Sequence, residues 1–299
     1  TFGYGTYTLH ILLPTQHPEF AMQFTSPVSA WKLYVDGQMH SGSGQVGTSR
    51  ETSVRGEADI LVYIPENTPE VCIAIQVSNF FHSRGGLYQT IKFGTRTEID
   101  RSNLSFLFIE IFVFGFGLAI ILYHFALFVF QPKNTSLLWF IFFATLVVLR
   151  NLVTGPVFRL LFSFLPWNVD TKIDYLTFSL LGLALVQYFA SLYPKDMHKT
   201  INRIISLEAL LYAAFILVTP SYIYGRLITI HQLILAAIMI YVVYLIIMLV
   251  IRKRDGALYI VVGIAILTGF TINDLLYSML ILRTGTLLPF GFSAFLLAQ

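Results

Sequence analysis

"NFFHSRGGLYQTIKFG" at residues 79–94 reads as the last turn and strand of a water-facing sheet, yet "LSFLFIEIFVFGFGLAIILYHFALFVF" follows at 104–130. Glu110 is the only charged residue of that second run. Crossing the roughly 30 Å hydrocarbon core of a bilayer takes about 20 apolar residues at about 1.5 Å each. The run is long enough, and no aqueous surface would accept it. Two solvents therefore meet within a few residues, and the fold has to answer to both.

The rest of the chain divides at the same place. Of 299 residues, 56% are apolar and 12% are charged, against about 25% charged in a soluble domain. Residues 1–103 carry seven Lys/Arg and nine Asp/Glu, a net −2, and residues 104–299 carry twelve and seven, a net +5. No basic face is clustered enough to suggest nucleic acid. Cys72 is the single cysteine, so no internal disulfide can form.

Upstream, "TYTLHILLP", "FAMQF", "WKLYVDG", "DILVYIP" and "VCIAIQVSN" alternate with period two and are broken by Pro, Gly, Asn or Asp. Such runs predict short strands of an antiparallel sandwich or jelly roll. Asp36-Gly37 marks a tight turn, and Gly42, Gly44 and Gly47 mark a longer exposed loop. Downstream, six apolar runs and a truncated seventh fall at 104–130, 137–154, 173–193, 203–219, 227–251, 257–282 and 287–299. The fold class expected is β plus membrane α: an N-terminal β-sandwich over residues 1–95, a short linker at 96–103, and a seven-helix transmembrane bundle over 104–299. Both termini read as cuts in a longer protein, and the first strands are expected to precede Thr1. The linker "TRTEIDRSN" is short and charged, and so transmits position better than a Gly/Ser tether.

With the β-domain outside, the inner loops hold Lys133, Lys195, Lys199, Arg203, Arg252, Lys253 and Arg254. The outer loops hold Arg159, Lys172, Arg226 and Arg283. That distribution agrees with the positive-inside rule. The expectation is a multi-pass protein of the bacterial inner membrane, with its β-domain periplasmic and its C-terminus cytoplasmic.

"GYGTYTLHILLP", "SAWKLYVDGQ", "GQVGTSRE" and "QVSNFFHSRGGLYQTIKFG", succeeded at once by many helices, resemble the bacterial seven-transmembrane receptors with diverse intracellular signalling modules. The stretch N-F-x-H-x-R-G-G is the most specific part of the likeness. The resemblance implies an outer galactose-binding-like jelly roll, a seven-helix bundle and a cytoplasmic output module lying beyond this sequence. It implies a small ligand, with carbohydrate as the class to test, and no cofactor. A homodimer is consistent with such outputs.

Two groups of residues are candidates for function. Asn79, Phe80, His82 and Arg84 could read a ligand through directional hydrogen bonds and an aromatic face, and Trp31 and Tyr34, one on each face of a strand, form a second candidate. The competing reading is a hairpin in which Asn79 ties the turn, and core packing for at least one of Trp31 and Tyr34. Glu110, His124, Arg150, Asp174, Glu208 and Asp274 are ionisable groups inside spans, where charge is costly and is kept only against protein or water. Arg150 is expected to pair with Asp274 or Glu110, and Glu208 with His124. Glu110, Gly117 and His124 form one stripe on the first helix, with Gly117 admitting a close neighbour. The polar set serves a relay between helices, a transport pathway, or static register. Phosphate-loop, metalloprotease and hydrolase motifs are missing from the sequence, which argues against intrinsic catalysis. A transporter with an outer β-domain and an adhesion module on a membrane anchor remain alternatives to a receptor.

Overall fold

A computed structural model of the protein describes residues 2–24, 29–56, 58–81, 87, 91–162, 164–254, 256–278, 281–282, 284 and 287–298. Among the described residues seven strands come first: β1 Gly3–Leu12, β2 Phe20–Phe24, β3 Ala30–Val35, β4 Gln38–Ser43, β5 Ile60–Ile64, β6 Glu70–Asn79 and β7 Lys92–Thr95. They form a four-stranded sheet in the order β1-β6-β3-β4 and a three-stranded sheet in the order β5-β2-β7.

The period-two pattern sets which face is buried. On β6, Val71, Ile73, Ile75 and Val77 are all buried. They join Trp31 and Leu33 of β3, Met22 and Phe24 of β2, and Ile60, Val62 and Ile64 of β5 in one apolar core. Each such side chain contributes about 1.5–3 kcal/mol when fully buried, which holds two sheets together without a disulfide. Asp36 and Gly37 turn β3 into β4 with φ of 49° and 79°, as a two-residue hairpin demands. Asp36 also locks the hairpin to β6, since its carboxylate accepts the Cys72 N–H at 2.8 Å.

The glycine-rich segment predicted as an exposed loop is only partly one. Residues 38–43 form β4, and the loop beyond that strand is closed by an isolated bridge between Gln45 and Val54. The buried Ser78 hydroxyl accepts the Gly47 N–H at 3.1 Å and lies 2.8 Å from the Ser53 hydroxyl. Small residues let this loop fold down onto β6 instead of standing free.

The expected linker is a helix. α1 runs unbroken over Arg96–Phe130, starting directly from β7. Thr95 and Glu98 form a capping box: Glu98 accepts the Thr95 N–H at 3.0 Å, and the Thr95 hydroxyl accepts the Glu98 N–H at 3.3 Å. Glu19 adds to this end, accepting the Arg96 N–H on its carbonyl at 2.9 Å and the Arg96 guanidinium on its carboxylate at 3.1 Å. The guanidinium also lies 4.6 Å from the centre of the Tyr63 ring.

The remaining helices are α2 Thr135–Thr154, α3 Pro156–Leu161, α4 Trp167–Leu192, α5 Lys199–Val218, α6 Ser221–Ile251, α7 Ala257–Ser278 and α8 Leu288–Ala298. Among the described residues, five helices (α1, α2, α4, α5 and α6) are long and apolar enough to cross a membrane. The short α3 corresponds to no span in the sequence, and arises where Pro156 supplies a ready-made first helical residue. Phe140, Phe143 and Ala144 of α2, Ala184 and Phe189 of α4, Val242 of α6 and Phe295 of α8 form the bundle core. Phe108, Phe112, Leu122 and Phe125 of α1 are exposed apolar side chains, as suits a helix that faces lipid.

The chain forms two compact units, residues 1–106 with 220–226, and residues 107–219 with 227–299. The division falls inside α1 and α6, the two longest helices at 35 and 31 residues. Thr95→Ala removes one side of the capping box and is expected to lower the stability of the sandwich unit by about 1 kcal/mol. Chemical denaturation of the full chain in nanodiscs checks this, with Thr95→Ser expected to restore most of the loss.

Candidate functional site

A chain of charged and aromatic side chains crosses four helices of the bundle. Arg150 near the end of α2 donates to the Asp174 carboxylate of α4 at 2.8 Å and to the Asp174 carbonyl at 3.0 Å. The guanidinium lies over the Phe178 ring, 4.6 Å from its centre. Phe178 meets His231 of α6 edge-on at 5.6 Å. The His231 Nδ1 is 2.9 Å from the Glu208 carboxylate of α5, and the Tyr212 ring stacks on the imidazole at 4.5 Å. Only 2% of the His231 side chain is exposed, against 23% for Glu208, so the contact is shielded from the histidine side.

Arg150 was expected to meet Asp274 or Glu110, and it meets Asp174 instead. The chain leaves α2, passes through the short α3 and enters α4, so the last turn of one long helix lies beside an early turn of the other. The Asp274 side chain lies outside the described residues. Glu110 turns to a different donor, accepting the Val157 N–H at 3.2 Å where α3 begins. A carboxylate is favoured there because the first amides of a helix lack intrahelical partners.

Glu208 was expected to meet His124, and it meets His231. Each of these partners stands eleven residues from the two-residue connection Thr219–Pro220 between α5 and α6, so the reversal of direction brings them level. His124 instead places its Nδ1 2.9 Å from the Ile120 carbonyl and its ring 4.3 Å from that of Phe140. Of the predicted stripe on α1, Gly117 and His124 face α2, while Glu110 turns to α3. A side chain at Gly117 would overlap Val148 of α2, with His124 and Phe140 further along the same pair of helices.

The residues proposed as ligand readers are scattered. Trp31 is buried in the sandwich core and donates its indole N–H to the Ala58 carbonyl at 3.1 Å, which removes it from any surface site. Tyr34 lies on the opposite face, its hydroxyl 3.5 Å from the Gln76 side chain. Asn79 is buried and accepts the Phe81 N–H at 3.3 Å, a turn-forming contact. Phe80 is half-buried. His82 and Arg84 lie outside the described residues. Arg50, which no sequence motif singles out, lies 4.8 Å from the Tyr222 ring and 5.9 Å from the Phe81 ring. Ser221 donates to the Phe81 carbonyl at 3.4 Å. The start of α6 is thereby held within the sandwich unit.

At the opposite end of α6, Asp196 of the α4–α5 connection takes both Arg252 and Arg254. The Arg254 Nε is 2.9 Å away. Hydrogen bonds from Arg254, then from Arg252, hold the Asp196 carboxyl below its usual range. Among the described residues, no group of three His, Cys, Asp or Glu side chains gathers as a metal site.

The family described as 7TM diverse intracellular signalling matches residues 106–299 of the chain. The chain belongs to that family. No curated protein matches it. As a 7TM diverse intracellular signalling protein it is a multi-pass membrane protein of the signalling-receptor class, and its polar contacts are to be read as contacts between the helices of a receptor.

His231→Leu leaves the partly buried Glu208 carboxylate without its partner and is expected to cost about 1–3 kcal/mol. Glu208→Leu costs less, because a lone imidazole can stay neutral, and the double substitution recovers much of the loss. Thermal melts of the four proteins in nanodiscs form the cycle that checks this. For Asp196 the folded carboxyl is more acidic than the unfolded one, so its contribution is complete above the ordinary carboxylate range and is lost as pH falls through the lowered value. Asp196→Asn is therefore expected to melt below wild type at neutral pH, with the difference vanishing in strong acid.

Proposed function

We propose that this receptor's β-domain lies outside the cell membrane, senses a small ligand there, and passes its state through α1 and α6 to a cytoplasmic output module. The observation that carries the reading is the absence of a loop between the last strand and the first long helix. β7 ends at Thr95 and α1 begins at Arg96, with the capping box closing the step. A helix of 35 residues extends about 50 Å at about 1.5 Å per residue, longer than the hydrocarbon core alone requires. Its first turns therefore belong to the sandwich unit and its remainder to the bundle. α6 gives a second path of the same kind, with residues 220–226 inside the sandwich unit.

A ligand acts on such a device only by binding its two arrangements with different free energies. The interhelical pairs Arg150–Asp174 and Glu208–His231 are the contacts that a shift of α2, α4, α5 and α6 would have to break and remake, which supports a relay role for them. The resemblance of the sequence to receptors with a galactose-binding-like outer domain favours a carbohydrate as the ligand class. The balance of Lys and Arg between loops supports a cytoplasmic C-terminus in the bacterial inner membrane, and signalling outputs that work in pairs support a homodimer. The five membrane-length helices are each continuous, a feature more at home in a receptor than in a transporter with broken helices.

Titration calorimetry of the full chain in nanodiscs against a glycan panel tests the ligand class. Saturable heat with one sugar family is expected, accompanied by a change in the distance between spin labels on the far ends of α1 and α6. Binding without a distance change would separate recognition from relay. A blank panel together with substrate flux in liposomes would replace the receptor reading by transport.

A further inference from the structure

Three cations follow one another where α6 ends. Arg252, Lys253 and Arg254 come directly after Ile251, and the turn they make has the Schellman pattern. The Arg254 N–H donates to the Leu249 carbonyl at 3.0 Å and the Lys253 N–H to the Val250 carbonyl at 2.9 Å. This closure sets Lys253 in the left-handed region, with φ of 50°, where glycine is the usual residue because it has no Cβ to clash. The turn would close more easily with glycine, so its geometry does not account for the lysine. The two neighbours of Lys253 are held in place. The Asp196 side chain, 4% exposed, accepts from Arg252 Nη1 and, at 3.2 Å, from Arg254 Nη2, with Arg254 Nε 2.9 Å away. A guanidinium carries five N–H donors in one plane, so most donors of both arginines remain, on side chains 47% and 42% exposed.

We propose that the end of the bundle made by the α4–α5 and α6–α7 connections is a headgroup site for an anionic phospholipid. Lys195, Arg252, Lys253 and Arg254 meet its phosphodiester. The bound lipid ties the two connections together from the membrane side, as Asp196 does from within. This goes beyond the receptor reading and does not depend on it, since the site belongs to whichever leaflet α6 ends in.

Position and charge select this occupant. α4, α5 and α6 are each long and apolar enough to span a bilayer, and both connections begin at the end of one of these helices. Their side chains therefore stand at the level of the headgroup phosphates. Lys195 adjoins Asp196 and Lys199 opens α5, and both are exposed. Asp196 is spent on the two arginines, and Asp255 lies outside the described residues. Even with Asp255 counted, five cations stand against two acids over 195–199 and 252–255. A phosphodiester offers anionic oxygens that a guanidinium binds as a planar fork, and an ammonium beside them adds a point charge. Tyr259, exposed on the first turn of α7, is the kind of amphipathic ring that settles at this depth. A strained lysine between two braced arginines is then a displayed charge whose partner is the bilayer surface.

Native mass spectrometry of the full chain released from detergent micelles, titrated with phosphatidylglycerol or phosphatidylcholine, reads the affinity for each lipid. Wild type is expected to prefer phosphatidylglycerol. Lys253→Gly and Lys195→Gln are each expected to weaken phosphatidylglycerol about fivefold, the effect of one basic residue at a membrane surface, and to leave phosphatidylcholine unchanged. Lys253→Gly should also melt no lower than wild type in phosphatidylcholine nanodiscs, because it relieves the left-handed residue, so its loss of lipid is separable from unfolding. Arg226→Gln, at an exposed position near the opposite end of α6, should leave both affinities unchanged. An equal loss in Arg226→Gln would mean that any exposed cation suffices, and would overturn the proposal. Displacement of the lipid by inorganic phosphate at constant ionic strength would overturn it too, in favour of a soluble anion. So would an unchanged phosphatidylglycerol affinity in both lysine variants, or no headgroup preference in wild type, which would leave the basic end to a protein partner. None of these results bears on the glycan and spin-label experiment of the receptor reading.

Discussion

A helix starts with amide groups that its own turns cannot satisfy, and where α1 starts, the sandwich satisfies them. Thr95 and Glu98 answer each other, and the Glu19 carbonyl takes the Arg96 N–H. The last strand therefore runs into α1 with no loop between them. The Arg96 guanidinium widens the joint by reaching the Glu19 and Asp100 carboxylates and the Tyr63 ring. Parts of β5, the β1–β2 connector and α1 are held at a single side chain.

Inside the bundle the same economy applies to charge. A carboxylate or guanidinium in hydrocarbon is kept only against a partner, and in both described pairs the partner comes from a different helix: Arg150 with Asp174, and Glu208 with His231. Phe178 stands between the two pairs, touching the guanidinium on one side and the imidazole on the other. Four helices share one connected set of contacts, so a change in the packing of any of them is felt by both pairs. At the other end of α6, the Asp196 carboxylate between two arginines fixes the α4–α5 connection to the α6–α7 turn.

Much of this is legible in the residues. Period-two runs locate β1, β2, β3, β5 and β6, Asp36-Gly37 locates the β3–β4 turn, and the apolar runs locate the long helices to within a few residues at most ends. The start of α1 is not where polarity puts it: "TRTEIDRSN" looks like a linker by composition, whereas the T-x-x-E spacing of Thr95 and Glu98 carries the opposite message. β4 is hidden by its glycine and serine content, since it pairs along β3 and leaves most of its side chains exposed. The pairing of charges depends on which helices adjoin, which composition does not contain. His231 still has a sequence signal, as the one histidine in the long apolar run of α6, level with Glu208 across the Thr219–Pro220 connection. Trp31 shows the opposite error, an aromatic residue chosen for ligand contact that the strand alternation turns toward the core.

The central claim is that the sandwich passes into α1 without an intervening loop, and hydrogen exchange of the full chain in nanodiscs measures this directly. Amides of residues 100–106, each bonded within α1, should be protected to the same degree as those of the sandwich core. Exchange there at the rate of an unstructured peptide, with protection beginning only inside the apolar run, would contradict the account.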